Sequence, residues 1–267
     1  MRSGDPAAPV GLGPLEILAE APASCAVLTD YDGTLAPIVA DPERASPVSD
    51  APAVLAGLAA HFGVVGVISG RPAAFLRDRL AGAGDRVHLV GVYGFEWIED
   101  GVLRTAPEIE PWKAPAARLV AAARAEAPPG VGVEDKGAAV TIHWRRAPEA
   151  EAWGIDFARR WAETSGLELQ LGRMAVEVRP PVPIDKGRVV DRLAAGCRGV
   201  CFAGDDAGDL AAFAALDRMA RDGVYTVRVA VADEESPPEL VAAADMVVSG
   251  PLEAVVLLRR LADAAGR

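Results

Sequence analysis

The stretch Ala26-Val27-Leu28-Thr29-Asp30-Tyr31-Asp32-Gly33-Thr34-Leu35 decides the fold. Its first four residues carry no charge and read as a short buried parallel strand. The run stops at Asp30. Two carboxylates two residues apart at a strand end enter the crevice where α/β sheets place their sites. One of them can attack phosphorus, and the other can protonate a leaving oxygen and later deprotonate water. Gly33 permits a tight turn, and Thr34 offers a hydroxyl to phosphate. A solvated acidic turn capping a strand is the plainer alternative, so the surroundings have to decide.

Working outward, Ala51–His61 has helical periodicity, Gly63–Ile68 reads as a second buried strand, Pro72–Leu80 as a Pro-started helix and Val87–Val90 as a third strand. After residue 184 the same alternation resumes: helix Lys186–Ala195, strand Gly199–Ala203, helix Ala207–Ala214, strand Tyr225–Val231, then helices Ser236–Ala243 and Ala254–Ala265. This predicts an α/β fold, a doubly wound, mainly parallel, Rossmann-like sheet built from both ends of the chain. The middle differs. Helix Pro111–Glu126 is followed by strands Val131–Asp135 and Ala138–Trp144 around Lys136-Gly137. Helix Pro148–Ser165 and strands Leu167–Leu171 and Ala175–Arg179 follow, the last two separated by Gly172-Arg173. This αββαββ order predicts a small α+β domain inserted at 109–183, with the main domain formed by 1–108 and 184–267. Pro180-Pro181-Val182-Pro183 reads as the extended link back.

Three more constellations fall at predicted strand ends or helix starts. Gly204-Asp205-Asp206-Ala207-Gly208-Asp209 follows a strand, and its carboxylates can join Asp30 around a hard, oxygen-loving cation such as Mg²⁺. Asp209 stands at helical spacing from Asp205 and Asp206, as ligand or as second-layer partner. The plainer reading is a helix N-cap, and for Asp206 alone that suffices. Ser69-Gly70-Arg71-Pro72 places a hydroxyl near a helix N-terminus, where it can donate to a phosphate oxygen. Lys186 opens a helix directly after the Pro-rich link and can hold phosphate while offsetting the clustered carboxylates. Most lysines are surface residues, so Lys186 is informative only in company.

Acid pair, Ser, Lys, acid pair, in that order, resembles the four motifs of the haloacid dehalogenase superfamily, and the insertion matches the position of its C2B cap. The resemblance implies Asp30 as nucleophile and Asp32 as general acid/base. It also implies phosphate binding by Thr34, Ser69 and Lys186, and a Mg²⁺ held by Asp30, Asp32 and Asp205 with Asp206 and Asp209 behind them. Gly91-Val92-Tyr93-Gly94-Phe95-Glu96, Val133-Glu134-Asp135-Lys136-Gly137 and Met174-Ala175-Val176-Glu177-Val178-Arg179-Pro180 resemble segments of the trehalose-6-phosphate phosphatases. That resemblance implies a phosphosugar substrate, trehalose 6-phosphate, contacted by Arg71, Glu96, Glu134, Lys136 and Glu177. Carboxylates suit this task because each can accept two hydroxyl hydrogen bonds. For Glu134 and Lys136 the bland alternative is a solvated hairpin ion pair, and for His143 a satisfied strand histidine. The sequence departs from the pattern at Tyr93, where the family often has His, and after Asp206, where Ala207-Gly208-Asp209 replaces Thr-Asp-Glu. Sucrose or mannosylglycerate phosphate as substrate, a phosphomutase and a silent regulatory module are the competing expectations.

Composition bounds the partners. The 267 residues are 51% hydrophobic with net charge −11. An acidic surface repels nucleic acid and anionic membranes, so neither is expected to bind. Cys25, Cys197 and Cys201 suggest no disulfide framework. Met1–Pro14 holds no apolar run of signal-peptide length, and no stretch of about 18 uncharged apolar residues occurs. A cytoplasmic monomer without a fused synthase domain is expected.

Overall fold

Strand β1 (Cys25–Thr29) is buried along its whole length and alternates between two cores. Val27 packs into a layer with α2 (Ala51–His61) and α9 (Gly250–Ala265), after α1 (Glu16–Glu20) has entered the same layer. Ala26 and Leu28 pack into the opposite layer, with α6 (Lys186–Leu193) and α7 (Leu210–Arg221). Each buried Val or Leu contributes roughly 1.5–3 kcal/mol. Burial on both faces is why this strand reads as a continuous apolar run. The structure is a computed structural model that describes residues 11–39, 41–172, 174–233 and 236–267. Most of Met1–Pro14, and Arg173 of the Gly172-Arg173 connection, therefore lie outside the described residues.

The main sheet adds β2 (Val64–Ile68), β3 (Val87–Gly91), β4 (Glu96–Glu99) and β5 (Val102–Thr105) on one side of β1. On the other side lie β10 (Gly199–Gly204), β11 (Tyr225–Ala232) and β12 (Met246–Ser249), giving the order β12-β11-β10-β1-β2-β3-β4-β5. Every pairing from β12 to β3 is parallel, and the edge pairings β3–β4 and β4–β5 are antiparallel. The strand order reverses at β1, which lies between β10 and β2. That is a topological switch point, where α/β sheets open a crevice at their carboxyl ends. Thr29 stands in register with Ala203 and with Val67, so the loops after β1, β10 and β2 emerge side by side.

Residues 110–179 make a second layer pair. Helices α4 (Glu110–Glu126) and α5 (Glu151–Ser165) cover one face of a four-stranded antiparallel sheet. Its strands are β6 (Gly132–Asp135), β7 (Val140–His143), β8 (Glu168–Gly172) and β9 (Ala175–Arg179), in the order β6-β7-β9-β8. Its core includes Leu119, Ile142, Trp144, Phe157 and Val176. The uncovered face carries a polar row in register: Glu134, Thr141, Glu177, Gln170. An apolar seam of Val92, Phe95, Ala106 and Ile109 against Ala138 and Ala139 seats the β6–β7 turn on the main domain.

The β4–β5 hairpin and strand β12 were not in the expectation. Glu99-Asp100-Gly101-Val102 is a polar turn between short, half-exposed strands, which gives little apolar signal. Helix α7 starts at Leu210 rather than Ala207, because a 3₁₀ turn at Ala207–Asp209 precedes it, and it runs seven residues beyond the expected Ala214, to Arg221. Helix α3 (Ala73–Arg79) and helix α8 (Pro238–Ala243) complete the flanking set. Cys25 and Cys201 are buried free thiols, and Cys197 is half-buried and free.

Candidate active site

Asp30 leaves β1 with its N–H donated to the Ala203 carbonyl of β10 (2.8 Å), so the strand pairing fixes its backbone. Its side chain is 7% exposed. One carboxylate oxygen takes the Lys186 Nζ at 2.9 Å; the other, Oδ1, is buried without a partner. Lys186, the first residue of α6, also pairs with Asp209 Oδ1 at 2.6 Å. The other Asp209 oxygen accepts the N–H groups of Asp205 (2.9 Å) and Asp206 (3.1 Å). Asp209 thus organises the loop after β10, with both of its oxygens committed. Asp206 is exposed and caps the 3₁₀ turn in a reciprocal capping box with Asp209. Thr34 Oγ1 donates to Asp205 Oδ1 at 3.2 Å. Gly33 has φ +72°, and an added Cβ there would land on the Asp205 carboxylate, so this turn needs glycine.

Carboxylate oxygens of Asp30, Asp205 and Asp209 lie within 4.8 Å of one another. One ammonium faces three carboxylates, leaving two negative charges in excess when all are ionised. Burial, then repulsion from Asp209 and Asp206, drives the Asp30 carboxyl well above its ordinary range, although Lys186 pulls the other way. Burial followed by the charges of Asp30 and Asp209 pushes Asp205 up to about 10. Such a cluster lacks positive charge, and a divalent cation is the species that supplies two charges to all-oxygen donors. The orphaned Asp30 Oδ1 and the Asp205 carboxylate are the donors that fit it, since Asp209 is already used. The expected Asp32 contribution could come only from its main chain, because its side chain points elsewhere.

That side chain is gripped by Arg71. Nε and Nη2 donate to the two Asp32 oxygens at 2.7 and 2.9 Å, and Nη1 reaches Glu134 Oε1 on β6 at 3.3 Å. Ser69 is 1% exposed; its Oγ accepts the Arg71 N–H at 3.2 Å, which leaves its own hydrogen free to donate. Val92 and Tyr93 follow β3 with φ of 47° and 57°. Left-handed backbone at a β-branched residue is strained, at a cost of roughly 1–3 kcal/mol. Hydrogen bonds from the Val92 N–H to Arg71 O and from the Tyr93 N–H to Ser69 O, both 2.9 Å, hold it there.

The polar row meets this rim. Glu177 Oε2 accepts from Lys136 Nζ (2.8 Å), Thr141 Oγ1 (3.1 Å) and the Tyr93 hydroxyl (3.3 Å), while Glu177 Oε1 is buried and unpartnered. Lys136 is therefore not on a solvated hairpin: its side chain is 7% exposed and it is paired with Glu177 rather than with Glu134. Burial opposes the Lys136 charge, but Glu177, Tyr93 and Glu134 together outweigh it and raise the ammonium pKa. Glu134 pairs with Arg71 and with His143 Nε2 at 3.0 Å. Burial alone would raise its pKa; Lys136, His143 and Arg71 bring it down to about 2. His143 is thus a satisfied strand histidine. Glu96 accepts the N–H of Ala73 at the start of α3 (2.9 Å), leaving its second oxygen beside the Gly137 turn. Thr141 was missed from sequence, although hairpin register places it directly between Glu134 and Glu177.

The reversal of strand order beneath Asp30, with the small αββαββ unit inserted after the serine loop, makes this a haloacid dehalogenase superfamily protein. The trehalose-phosphatase family model matches residues 28–240, and the chain belongs to that family. A trehalose-phosphate phosphatase of Mycolicibacterium paratuberculosis is 33% identical over 249 residues, covering 89% of this chain and 62% of that protein. An uncharacterised glycosyl hydrolase of Mycobacterium tuberculosis is 38% identical over 172 residues, covering 62% of this chain and 13% of that protein. The chain spans less than two thirds of either relative. The C-terminal domain of C. albicans trehalose-6-phosphate phosphatase shares the fold, with a TM-score of 0.76 at 22% identity over 96% of this chain and 98% of that one.

Proposed function

We propose that this chain hydrolyses trehalose 6-phosphate to trehalose and phosphate, as a step of trehalose biosynthesis, with residues 109–183 acting as the cap that recognises the sugar. The observation that carries the reading is the pair of orphaned buried acceptors. Asp30 Oδ1 lies among Lys186, Asp205 and Asp209, and Glu177 Oε1 belongs to a carboxylate whose other oxygen accepts the Tyr93 hydroxyl of the main domain. The first suits an electrophilic phosphorus or a cation. The second suits a hydroxyl donor such as a sugar supplies.

In this mechanism an Asp30 oxygen attacks phosphorus, the bond from phosphorus to the sugar oxygen breaks, and Asp32 in its acid form gives its proton to that oxygen. Water then attacks the phosphorus of the aspartyl phosphate. Asp32 takes the water proton, Asp30 leaves as carboxylate, and phosphate departs. Lys186 and Ser69 hold the phosphoryl oxygens, joined by Thr34 once its hydroxyl turns away from Asp205. Mg²⁺, held by Asp30, Asp205 and the main-chain carbonyl of Asp32, would supply positive charge against the phosphoryl oxygens. Asp206 and Asp209 shape its loop. Lys136, Glu134 and Glu177 accept or donate to sugar hydroxyls, with Arg71 and Glu96 at the rim. We also place the protein in the cytoplasm as a monomer. No helix of the described residues is long and apolar enough to cross a membrane.

The test is phosphate release across a panel of sugar phosphates, with Mg²⁺ and with excess chelator. The expected result is preferential, chelator-sensitive turnover of trehalose 6-phosphate. Preference for sucrose or mannosylglycerate phosphate, or accumulation of an isomerised sugar phosphate, would reject the assignment.

A further inference from the structure

Arg71 was expected to touch the substrate, yet three of its five donors are committed to two protein carboxylates. Nε and Nη2 form a fork onto both oxygens of Asp32, and Nη1 reaches Glu134 across the boundary between main domain and cap. Among the described residues the Asp32 carboxylate takes its hydrogen bonds from Arg71 alone. The guanidinium is itself immobilised. Its side chain is 11% exposed, the Phe75 ring backs it at 4.8 Å, and Phe75 stands edge-on to the buried Tyr31 ring between the two acids. Its main chain is tied at both ends, to Ser69 Oγ and to the Val92 N–H. A planar fork matched to a carboxylate fixes orientation as well as position, which a lysine cannot do.

We propose that Arg71 is a positioning residue that couples seating of the cap to orientation of the acid/base Asp32. With Glu134 in place, the third arm of the guanidinium is anchored and the fork presents Asp32 at one angle. With the cap away, that anchor is lost and Asp32 is free to turn. The device orders the chemistry: the proton donor is aligned when the cap has closed over a substrate, as lids that complete a site do. The inference rests on the phosphatase reading, but not on which sugar is bound.

The test compares p-nitrophenyl phosphate, which has no sugar for the cap to grip, with trehalose 6-phosphate. Arg71→Ala is expected to lower kcat on trehalose 6-phosphate by about 100-fold and on p-nitrophenyl phosphate by at least about tenfold, with KM changed by less than about threefold. The aryl loss is smaller because the phenolate leaves without a proton, so only the base that activates water is lost. Added guanidinium chloride should restore kcat of Arg71→Ala at least about tenfold, which a misfolded variant could not show. Should Arg71→Ala fail to fold, Arg71→Lys decides: it keeps the charge, lacks the fork and should lose kcat comparably. Glu134→Ala should lower kcat on p-nitrophenyl phosphate by about tenfold in the parent and by nothing further in Arg71→Ala. Overturning results are a raised KM for trehalose 6-phosphate with an unchanged kcat on the aryl phosphate, unimpaired kcat in Arg71→Lys where that variant decides, or losses that multiply in the double variant. A parent chain that hydrolyses trehalose 6-phosphate poorly but the aryl phosphate well would reject only the sugar assignment. One that hydrolyses neither would reject the phosphatase reading and this inference with it.

Discussion

Lys136→Met isolates the consequence of burying an ion pair in the small sheet. Lys136 Nζ lies 2.8 Å from Glu177 Oε2, and the two side chains are 7% and 9% exposed. Met has similar length and fits the apolar stem, so little volume is lost. Glu177 keeps Thr141 and Tyr93 as donors but loses its cation while remaining buried. Stranding one charge of a buried pair costs about 3–5 kcal/mol, whereas a solvated pair is worth about 0–1 kcal/mol. The unit bearing the pair has its own apolar core, drawn from residues 112–178. At roughly 4–8 °C per kcal/mol for a unit of 60–100 residues, the midpoint of its thermal transition should fall by roughly 12 °C or more. Calorimetry, with urea titration for ΔΔG, reads this. The double variant Lys136→Met with Glu177→Gln should recover most of the loss, because Gln keeps an acceptor for Thr141 and Tyr93 without the charge. A single-variant cost below about 1 kcal/mol, or a double variant no better than the single, would refute the reasoning.

Three further outcomes follow from the same geometry. Gly33→Ala should cost about 1–2 kcal/mol for left-handed backbone and also displace Asp205, so near-parental turnover would contradict the close fit of this turn. Glu134 ionises at about 2 instead of its ordinary 4.5, so its stabilisation is complete above pH 4.5 and fades as pH falls toward 2. Urea midpoints measured between pH 6 and 3 should therefore fall less steeply in Glu134→Gln than in the parent, and equal slopes would show that the pair adds nothing. Asp209→Asn keeps acceptor capacity for the Asp205 and Asp206 N–H groups but weakens the hold on Lys186, so turnover should drop at least about tenfold, or ~1.4 kcal/mol of barrier, with the fold intact by circular dichroism. Unchanged turnover would remove Asp209 from the site.

What was legible in the sequence was whatever strand ends dictate. Asp30, Ser69 and Asp205 each follow an apolar run, and parallel pairing in register carries the ends of those runs to one edge. Lys186 was legible because it opens a helix beside the same crevice. The partnerships were not legible. Arg71 lies 39 residues from Asp32 and 63 from Glu134, and nothing local reveals that one fork serves both. Lys136 sits two residues from Glu134, which suggests a hairpin pair, yet strand register gives it Glu177 from 41 residues away. Glu96 looked like a sugar ligand, but half of its carboxylate caps α3, because the sharp turn after β3 brings it back over that helix start. Short polar strands such as β4 and β5 escaped because half-exposed residues carry no periodic signal.

The central claim is that Asp30 takes the phosphoryl group. Rapid acid quench of the Mg²⁺-loaded chain during turnover of trehalose 6-phosphate, followed by peptide mass analysis, tests it most directly. The expected result is one added phosphoryl group on the peptide bearing Asp30, absent in Asp30→Asn, whose turnover is abolished. Phosphorylation of another residue, or Asp30→Asn activity within about tenfold of the parent, would contradict it.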